Sequence, residues 1–361
     1  MARLFVGNFD FEHRLADPRR QISTKLERIN AELSSSWLSI AEDGDFVWTP
    51  QPLDASFFKH AVEHGLPRVN PVISFDDVPR GTECLPWGWT DDVRRLCDAR
   101  GWRRNDSPDA TVRIGNSRRF SAGLEREWKV GLDGAREIAT MTEFADKLAV
   151  LGPAARWVVK AEFGMSGRER ILGCCDPTPT DLNWVAKRIA ADGVVFLEPW
   201  VERLDEVGIQ IEVPQTGLPQ LIGLVPMLVD KRGQYAGSWF ALPDHDESTW
   251  KPAVQVALDA AQRLQETGYI GPLGIDAMRY RAADGTSRLR PLQDLNARWT
   301  MGRLSLGWRR LLAPNEAYGC WQHSSREALD SIEGGFARVV PTSADLVGGT
   351  TAHHRSCVMI R

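Results

Sequence analysis

Gly271-Pro272-Leu273-Gly274-Ile275-Asp276-Ala277-Met278-Arg279-Tyr280, followed after a turn by Leu289-Arg290-Pro291-Leu292-Gln293-Asp294-Leu295-Asn296-Ala297-Arg298-Trp299-Thr300-Met301-Gly302-Arg303, is the stretch that decides the fold. Both halves read as strands, and Asp284-Gly285 supplies the turn between them. A three-residue loop centred on Gly285 sets Asp276 directly opposite Asp294. Side chains alternate along a strand, so Asn296 shares that face, roughly 6–7 Å beyond Asp294. Carboxylates facing each other across a ladder repel and destabilise a hairpin. A hard cation removes the repulsion, because Mg²⁺ takes one or two carboxylates and leaves other positions for phosphate oxygens. Arg298, two residues further on, adds a fixed positive charge to the same face. Together these residues outline a metal-phosphate site. The plainer account is an exposed hairpin carrying two unrelated acids.

The context upstream favours the first account. Trp157-Val158-Val159-Lys160 reads as a buried strand ending in a lysine. Glu162-Phe163-Gly164-Met165-Ser166-Gly167-Arg168 forms a glycine-containing loop, and Arg170 to Cys174 resumes strand. A hairpin flap of this kind closes over phosphates with its N–H groups and hydroxyl, and Lys160 stands nearby as a point charge. An ordinary hairpin with a solvated lysine is the alternative. A helix capped by Thr180 leads to the strand Val194-Val195-Phe196-Leu197, and then to Glu198-Pro199-Trp200-Val201-Glu202-Arg203. That acid at a strand end has the pattern of a hinge between two lobes. Strands follow at Val207–Val213 and Gln220–Val229 and at Ser238-Trp239-Phe240, with Lys231 in a loop between them. Thr142 opens an earlier helix, and Pro252 begins one that stops at Gly268.

At 361 residues the chain has room for two or three domains with sizeable cores. A hydrophobic share of 43% and a charged share of 25% are ordinary for a soluble globular protein. The net charge of -4 argues against nucleic acid as the main partner. No apolar run approaches membrane-spanning length. The six cysteines form no CxxC pair, so reduced thiols in a cytoplasm are the simpler account. Strand and helix alternate over residues 1–115, which predicts a small α/β domain with a largely parallel sheet. Its strands are Leu4-Phe5-Val6, Phe46-Val47-Trp48 and Val69–Phe75, with helices from about Ser23 to Leu38, after Asp54, and after Thr90. A boundary is expected from Ser107-Pro108 to Asn116. His60, Glu63 and His64 match H-x-x-E-H, the inverted zinc-peptidase pattern, although a pair of surface histidines near a helix end is the simpler account. The polar end at His353-His354-Arg355-Ser356-Cys357 reads as an irregular terminus.

The ordered set (lysine at a strand end, glycine loop, helix, acid at a hinge, then Asp…Asp-x-Asn-x-Arg on a late hairpin) resembles the ATP-grasp superfamily, which includes D-alanine–D-alanine ligase and biotin carboxylase. The likeness covers roughly residues 115–310. It implies an N-terminal Rossmann-like α/β domain (1–115), a small lobe with the flap (116–200), a large lobe with the metal site (201–312) and a C-terminal extension (313–361), α+β in the grasp region. It further implies that Lys160 contacts the α-phosphate and adenine, and that Gly164, Met165, Ser166, Gly167 and Arg168 fold over the β- and γ-phosphates. By the same likeness Glu198, Trp200 and Val201 line the adenine hinge, and Asp205 or Glu206 holds the ribose. Asp276, Asp294 and Asn296 hold Mg²⁺, as two ions. Arg298 steadies the γ-phosphate, and Lys231 reaches it too. The family usually has a glutamate in place of Asp294 and a lysine in place of Arg118 or Arg119.

Family members mostly activate a carboxylate as acyl phosphate for attack by an amine. The likeness therefore implies an ATP- and Mg²⁺-dependent cytoplasmic ligase of small-molecule acids and amines, with no nucleic-acid or membrane partner and a homodimer as a common assembly. Phosphate transfer to another acceptor and non-catalytic nucleotide binding stay open as alternatives. Asn8 to Glu12 and Cys84 to Thr90, with Trp87 and Trp89, are the segments expected to select the substrates.

Overall fold

The computed structural model of the chain describes residues 2–152, 155–164, 169–230, 232–325 and 336–361. Met165, Ser166, Gly167, Arg168 and Lys231, all named above as phosphate contacts, lie outside the described residues. Near the N-terminus β1 (Arg3–Val6), β2 (Phe46–Trp48), β3 (Asn70–Val72) and β4 (Glu83–Pro86) pair in parallel in the order β3-β2-β1-β4. Around them run α1 (Phe11–Ala16), α2 (Thr24–Ser34), α3 (Ala55–Glu63) and α4 (Asp91–Arg100). Asp54 and Thr90 cap their helices as expected, and Gly101 ends α4 in the left-handed conformation.

Three details differ from expectation. The long helix tightens into a 3-10 turn at Ser35–Ser39, a serine-rich stretch whose hydroxyls compete for backbone hydrogen bonds. The Val69–Phe75 strand shrinks to three residues, and β4 takes the edge beside β1. Glu63 is the last residue of α3, so exposed His64 falls at its C-cap. Among the described residues no three His, Cys, Asp or Glu side chains are grouped to hold a metal. The zinc-peptidase reading of His60, Glu63 and His64 is thereby corrected.

The stretch read as a boundary is instead α5 (Asp109–Asn116), followed by α6 (Arg118–Trp128) with Ser117 as its N-cap. An antiparallel sheet follows, made of β5 (Arg136–Ile138), β6 (Arg156–Lys160), β7 (Arg170–Cys174) and β8 (Val195–Pro199) in the order β5-β8-β6-β7. It is backed by α7 (Met141–Leu151) and α8 (Pro179–Asp192). Their caps are Thr140 and Thr178 rather than Thr142 and Thr180, because each forms a reciprocal box with an acid three residues on, Glu143 and Asp181.

The largest sheet contains β9 (Glu202–Val213), β10 (Gln220–Val229), β11 (Tyr235–Ala241), β12 (Gly271–Arg281) and β13 (Ser287–Asn296). After α9 (Lys251–Gln265), which precedes the β12–β13 hairpin, and α10 (Met301–Gly307), which follows it, come β14 (Gly319–Ser325), β15 (Arg338–Pro341), the short β16 (Leu346–Val347) and β17 (Thr350–Thr351), and β18 (His354–Ile360). The sheet order is β13-β12-β9-β10-β11-β14-β18-β15. The terminus expected to be irregular is therefore a strand paired on both sides, and its apolar residues Val358 and Ile360 are buried.

Period-two patterning places the site. On β9 and β12, Val207, Ile209, Ile211, Leu273 and Ile275 pack against Ala257, Ala260, Ala261 and Leu264 of α9. Small alanines let the helix sit close to the sheet. The intervening residues, among them Glu206, Gln210 and Asp276, fall to the opposite face. A second cluster joins Phe5, Trp37 and Trp87 from the first sheet region to Trp308, Trp321 and Val358 near the C-terminus. Both ends of the chain thus share one core.

Candidate active site

Asp276 pairs with Asp294 in the β12–β13 register, as the spacing predicts, but by a different route. The turn is five residues long, since Arg281 pairs with Ser287. Between the pairs Met278–Arg290 and Asp276–Asp294, β13 has three residues opposite the single Ala277. This bulge restores the register that the longer turn had shifted. Pro291 lies in it, where a missing N–H costs no ladder bond.

Burial first, then Asp294 and Glu206, push the Asp276 carboxyl up to about 7. Arg118 lies 3.1 Å from Asp294, while exposed Arg119 pairs with Glu137 and with Glu162 at the start of the flap loop. Gly164, the last described residue of the flap's first arm, lies beside Arg118, 3.7 Å from where its Cβ would be. Asn296 accepts a bond from Arg298 at 2.9 Å. Arg298 also donates to Glu12 at 2.6 Å, and its guanidinium lies 5.1 Å from the centre of the Trp87 ring. Glu12 is buried, and its other oxygen has no hydrogen-bond partner among the described residues. Asn8 donates to the Gly88 carbonyl at 2.8 Å. The two segments read as substrate-selecting therefore meet beside Arg298.

A narrow cleft opens next to this hairpin, with Lys160, Glu198, Trp200, Val201 and Gln293 among its lining residues. Behind it lies a buried ion network that pattern reading missed. Lys160 donates to Glu198 at 2.8 Å, and Arg290 donates to Glu198 at 2.9 and 3.1 Å and to Glu125 at 2.6 and 2.8 Å. Two cations balance two anions, each with its hydrogen bonds made, as burial of charge demands. Burial acts to raise the Glu198 carboxyl, yet Arg290 and Lys160 hold it well below the usual carboxylate range. Burial likewise leaves the Lys160 ammonium below its ordinary value despite Glu198. The available signal was an arginine, Arg290, set between the apolar residues Leu289 and Pro291-Leu292.

Asp205 and Glu206, alternatives in sequence, separate in space. Asp205 pairs with Arg279, 2.7 Å away, and the Arg279 guanidinium lies over Trp250 of the α9 core. The structure does not bring Asp205 to the cleft, because adjacent strand residues face opposite ways. Glu206 is buried on the site face, 3.2 Å from Arg203, and Arg203 lies 4.2 Å from the centre of the Trp200 ring.

Among solved structures the chain is similar to an N5-carboxyaminoimidazole synthetase from Staphylococcus aureus, with a TM-score of 0.56 and 9% identity over 100% of this chain and 93% of that one. It is similar to a biotin carboxylase–β,γ-ATP complex from Campylobacter jejuni, with a TM-score of 0.60 and 10% identity over 100% and 87%. An N5-carboxyaminoimidazole ribonucleotide synthetase from Thermus thermophilus gives 0.52 and 13% over 100% and 94%. No family model and no curated protein matches the sequence. The chain shares the fold of these solved structures, a mixed α/β architecture in which a parallel sheet precedes a large antiparallel one.

Proposed function

We propose that this protein is an ATP- and Mg²⁺-dependent ligase that activates a small-molecule carboxylate as acyl phosphate for attack by an amine. The observation that carries the reading is the Asp276–Asp294 pair, set across one hairpin beside the Lys160 cleft. Residues 1–115 supply the substrate wall, 116–200 the flap lobe and 201–312 the cation lobe, and 313–361 extends the large sheet. Solved neighbours of the same fold support nucleotide use: the Staphylococcus synthetase was also obtained with ADP, and a Hydrogenobacter thermophilus 2-oxoglutarate carboxylase domain with MgADP and bicarbonate.

The donor set fits a hard cation. Two carboxylates face each other with Glu206 near, and burial together with those neighbouring acids raises the proton affinity of Asp276, an effect that a bound cation would offset. Asp276, Asp294 and Asn296 would hold Mg²⁺, which supplies charge neutralisation at the triphosphate. Lys160 and Arg118 bring cations to the phosphate side, and Glu206 sits where ribose hydroxyls would donate. Val201 and Trp200 form the hinge against the base. Arg298, already sharing its charge with Glu12, orients the acid at the junction of the N-terminal wall and the hairpin. Phe163, buried at the flap base, helps exclude water that would hydrolyse an acyl phosphate.

The test is ADP release from Mg-ATP during a pairwise screen of amino acids and small peptides. Asp294→Ala should abolish acid-dependent release while circular dichroism stays native, and full turnover in that variant contradicts the assignment. Hydroxylamine in place of the amine should trap a hydroxamate. A phosphotransferase would release ADP and yield none.

A further inference from the structure

Gln293 occupies a place that a regular strand would deny it. Its neighbours Leu292 and Leu295 pack into the α9 core, while Asp294 faces the site. Strict alternation would turn Gln293 away with Leu295. The bulge opposite Ala277 breaks the alternation, so that consecutive residues Gln293 and Asp294 both reach the site side and Gln293 lines the cleft. Bulges commonly re-aim a side chain next to an active site.

The amide orientation follows from its surroundings. Gln293 lies beside the Glu206 side chain, and a carboxylate only accepts, so the Gln293 NH₂ belongs on that side. The Oε1 atom is left buried with no partner among the described residues. Elsewhere along the polar edge, Arg290 is committed to Glu125 and Glu198. Apolar side chains of Leu132, Val158 and Met278 line the same cleft.

Resting on the nucleotide reading above, we infer that Gln293 is a specificity-determining residue whose Oε1 accepts a hydrogen bond from the exocyclic amine of a 6-aminopurine. A 6-oxo purine turns an acceptor toward that oxygen and loses the bond. An unmet buried acceptor penalises such a ligand more than a missing contact would.

Calorimetric titration with Mg²⁺ and ADP, IDP or 2′-deoxy-ADP tests this without knowledge of the acid or amine. The wild-type protein should bind ADP at least tenfold more tightly than IDP. Gln293→Met should narrow that ratio to under threefold and move the ADP to 2′-deoxy-ADP ratio less than twofold. Equal binding of ADP and IDP by the wild type overturns the inference and needs no variant. An unchanged ratio in Gln293→Met, or a change confined to 2′-deoxy-ADP, overturns it too, the latter by assigning Gln293 to the ribose. No binding of any of the three nucleotides would remove the ligase reading itself, and this inference with it.

Discussion

Asp276 is a buried carboxyl set opposite Asp294, with Glu206 also near. Like charges facing across a ladder oppose folding, so Asp276→Asn is expected to stabilise the metal-free protein by about 1 kcal/mol. Urea denaturation in EDTA measures that gain. Adding Mg²⁺ should then raise the melting temperature of the wild type and leave the variant unmoved. Arg290 has the opposite character, being hydrogen-bonded to both Glu125 and Glu198 at once. Arg290→Met leaves two buried carboxylates short of their counter-ion and is expected to cost about 3–5 kcal/mol. The same denaturation assay reads it. At this scale the sequence disclosed the carboxylates through their spacing. It did not disclose Glu125 with Arg290, or Glu12 with Arg298, because those partners lie 165 and 286 residues apart and no local period links them.

The β12–β13 hairpin shows how an element can be read correctly through a wrong intermediate. A three-residue turn and a plain ladder give the same Asp276–Asp294 pairing as a five-residue turn with a three-for-one bulge. Alternation exposes the pairing and not the bulge, whose signals are Pro291 and the polar Gln293 in a buried run. The displaced helix caps have a similar cause, since the reciprocal boxes Thr140/Glu143 and Thr178/Asp181 were legible as S/T-x-x-acid. Strand β14 carries a further expectation. Burial, then His354, holds the His323 imidazole well below its ordinary value, and its Nδ1 lies 3.0 Å from His354 Nε2. The unfolded chain takes up a proton near pH 6.5 while the folded one does not. Stability should therefore fall as pH drops below about 6.5, by up to about 1.4 kcal/mol per pH unit from this group. His323→Phe should flatten that part of the stability–pH curve, measured by denaturant midpoints between about pH 7.5 and about pH 5.

Across the whole molecule the parallel sheet and the large sheet are held in one piece by apolar packing around Trp37, whose ring lies 5.0 Å from Phe5 and 5.5 Å from Trp299. Gly307 lets α10 approach the Ser35–Ser39 turn. A Cβ there would lie 2.5 Å from the Ser39 carbonyl oxygen, although the residue has ordinary helical angles. Gly307→Ala is thus expected to cost about 1–3 kcal/mol through overpacking. Because the strain falls between α10 and the Ser35–Ser39 turn, the ADP release expected of the proposed ligase should slow as well, and assaying both quantities checks the link. Composition and alternation made the α/β order legible over the first 115 residues. They did not reveal that the polar tail re-enters the sheet as β18, since a strand paired on both sides near a chain end has no local mark.

The β13 bulge has one more consequence. It brings Asp294 back opposite Asp276 after the turn from Ala282 to Thr286, most of which is exposed. Four paired residues on each strand, Met278–Arg290 to Arg281–Ser287, and the bulge separate that tip from the proposed cation site. A foreign epitope spliced between Asp284 and Gly285 should leave the catalytic register untouched, making the hairpin crown a natural handle for labels and a place where related chains are free to differ in length.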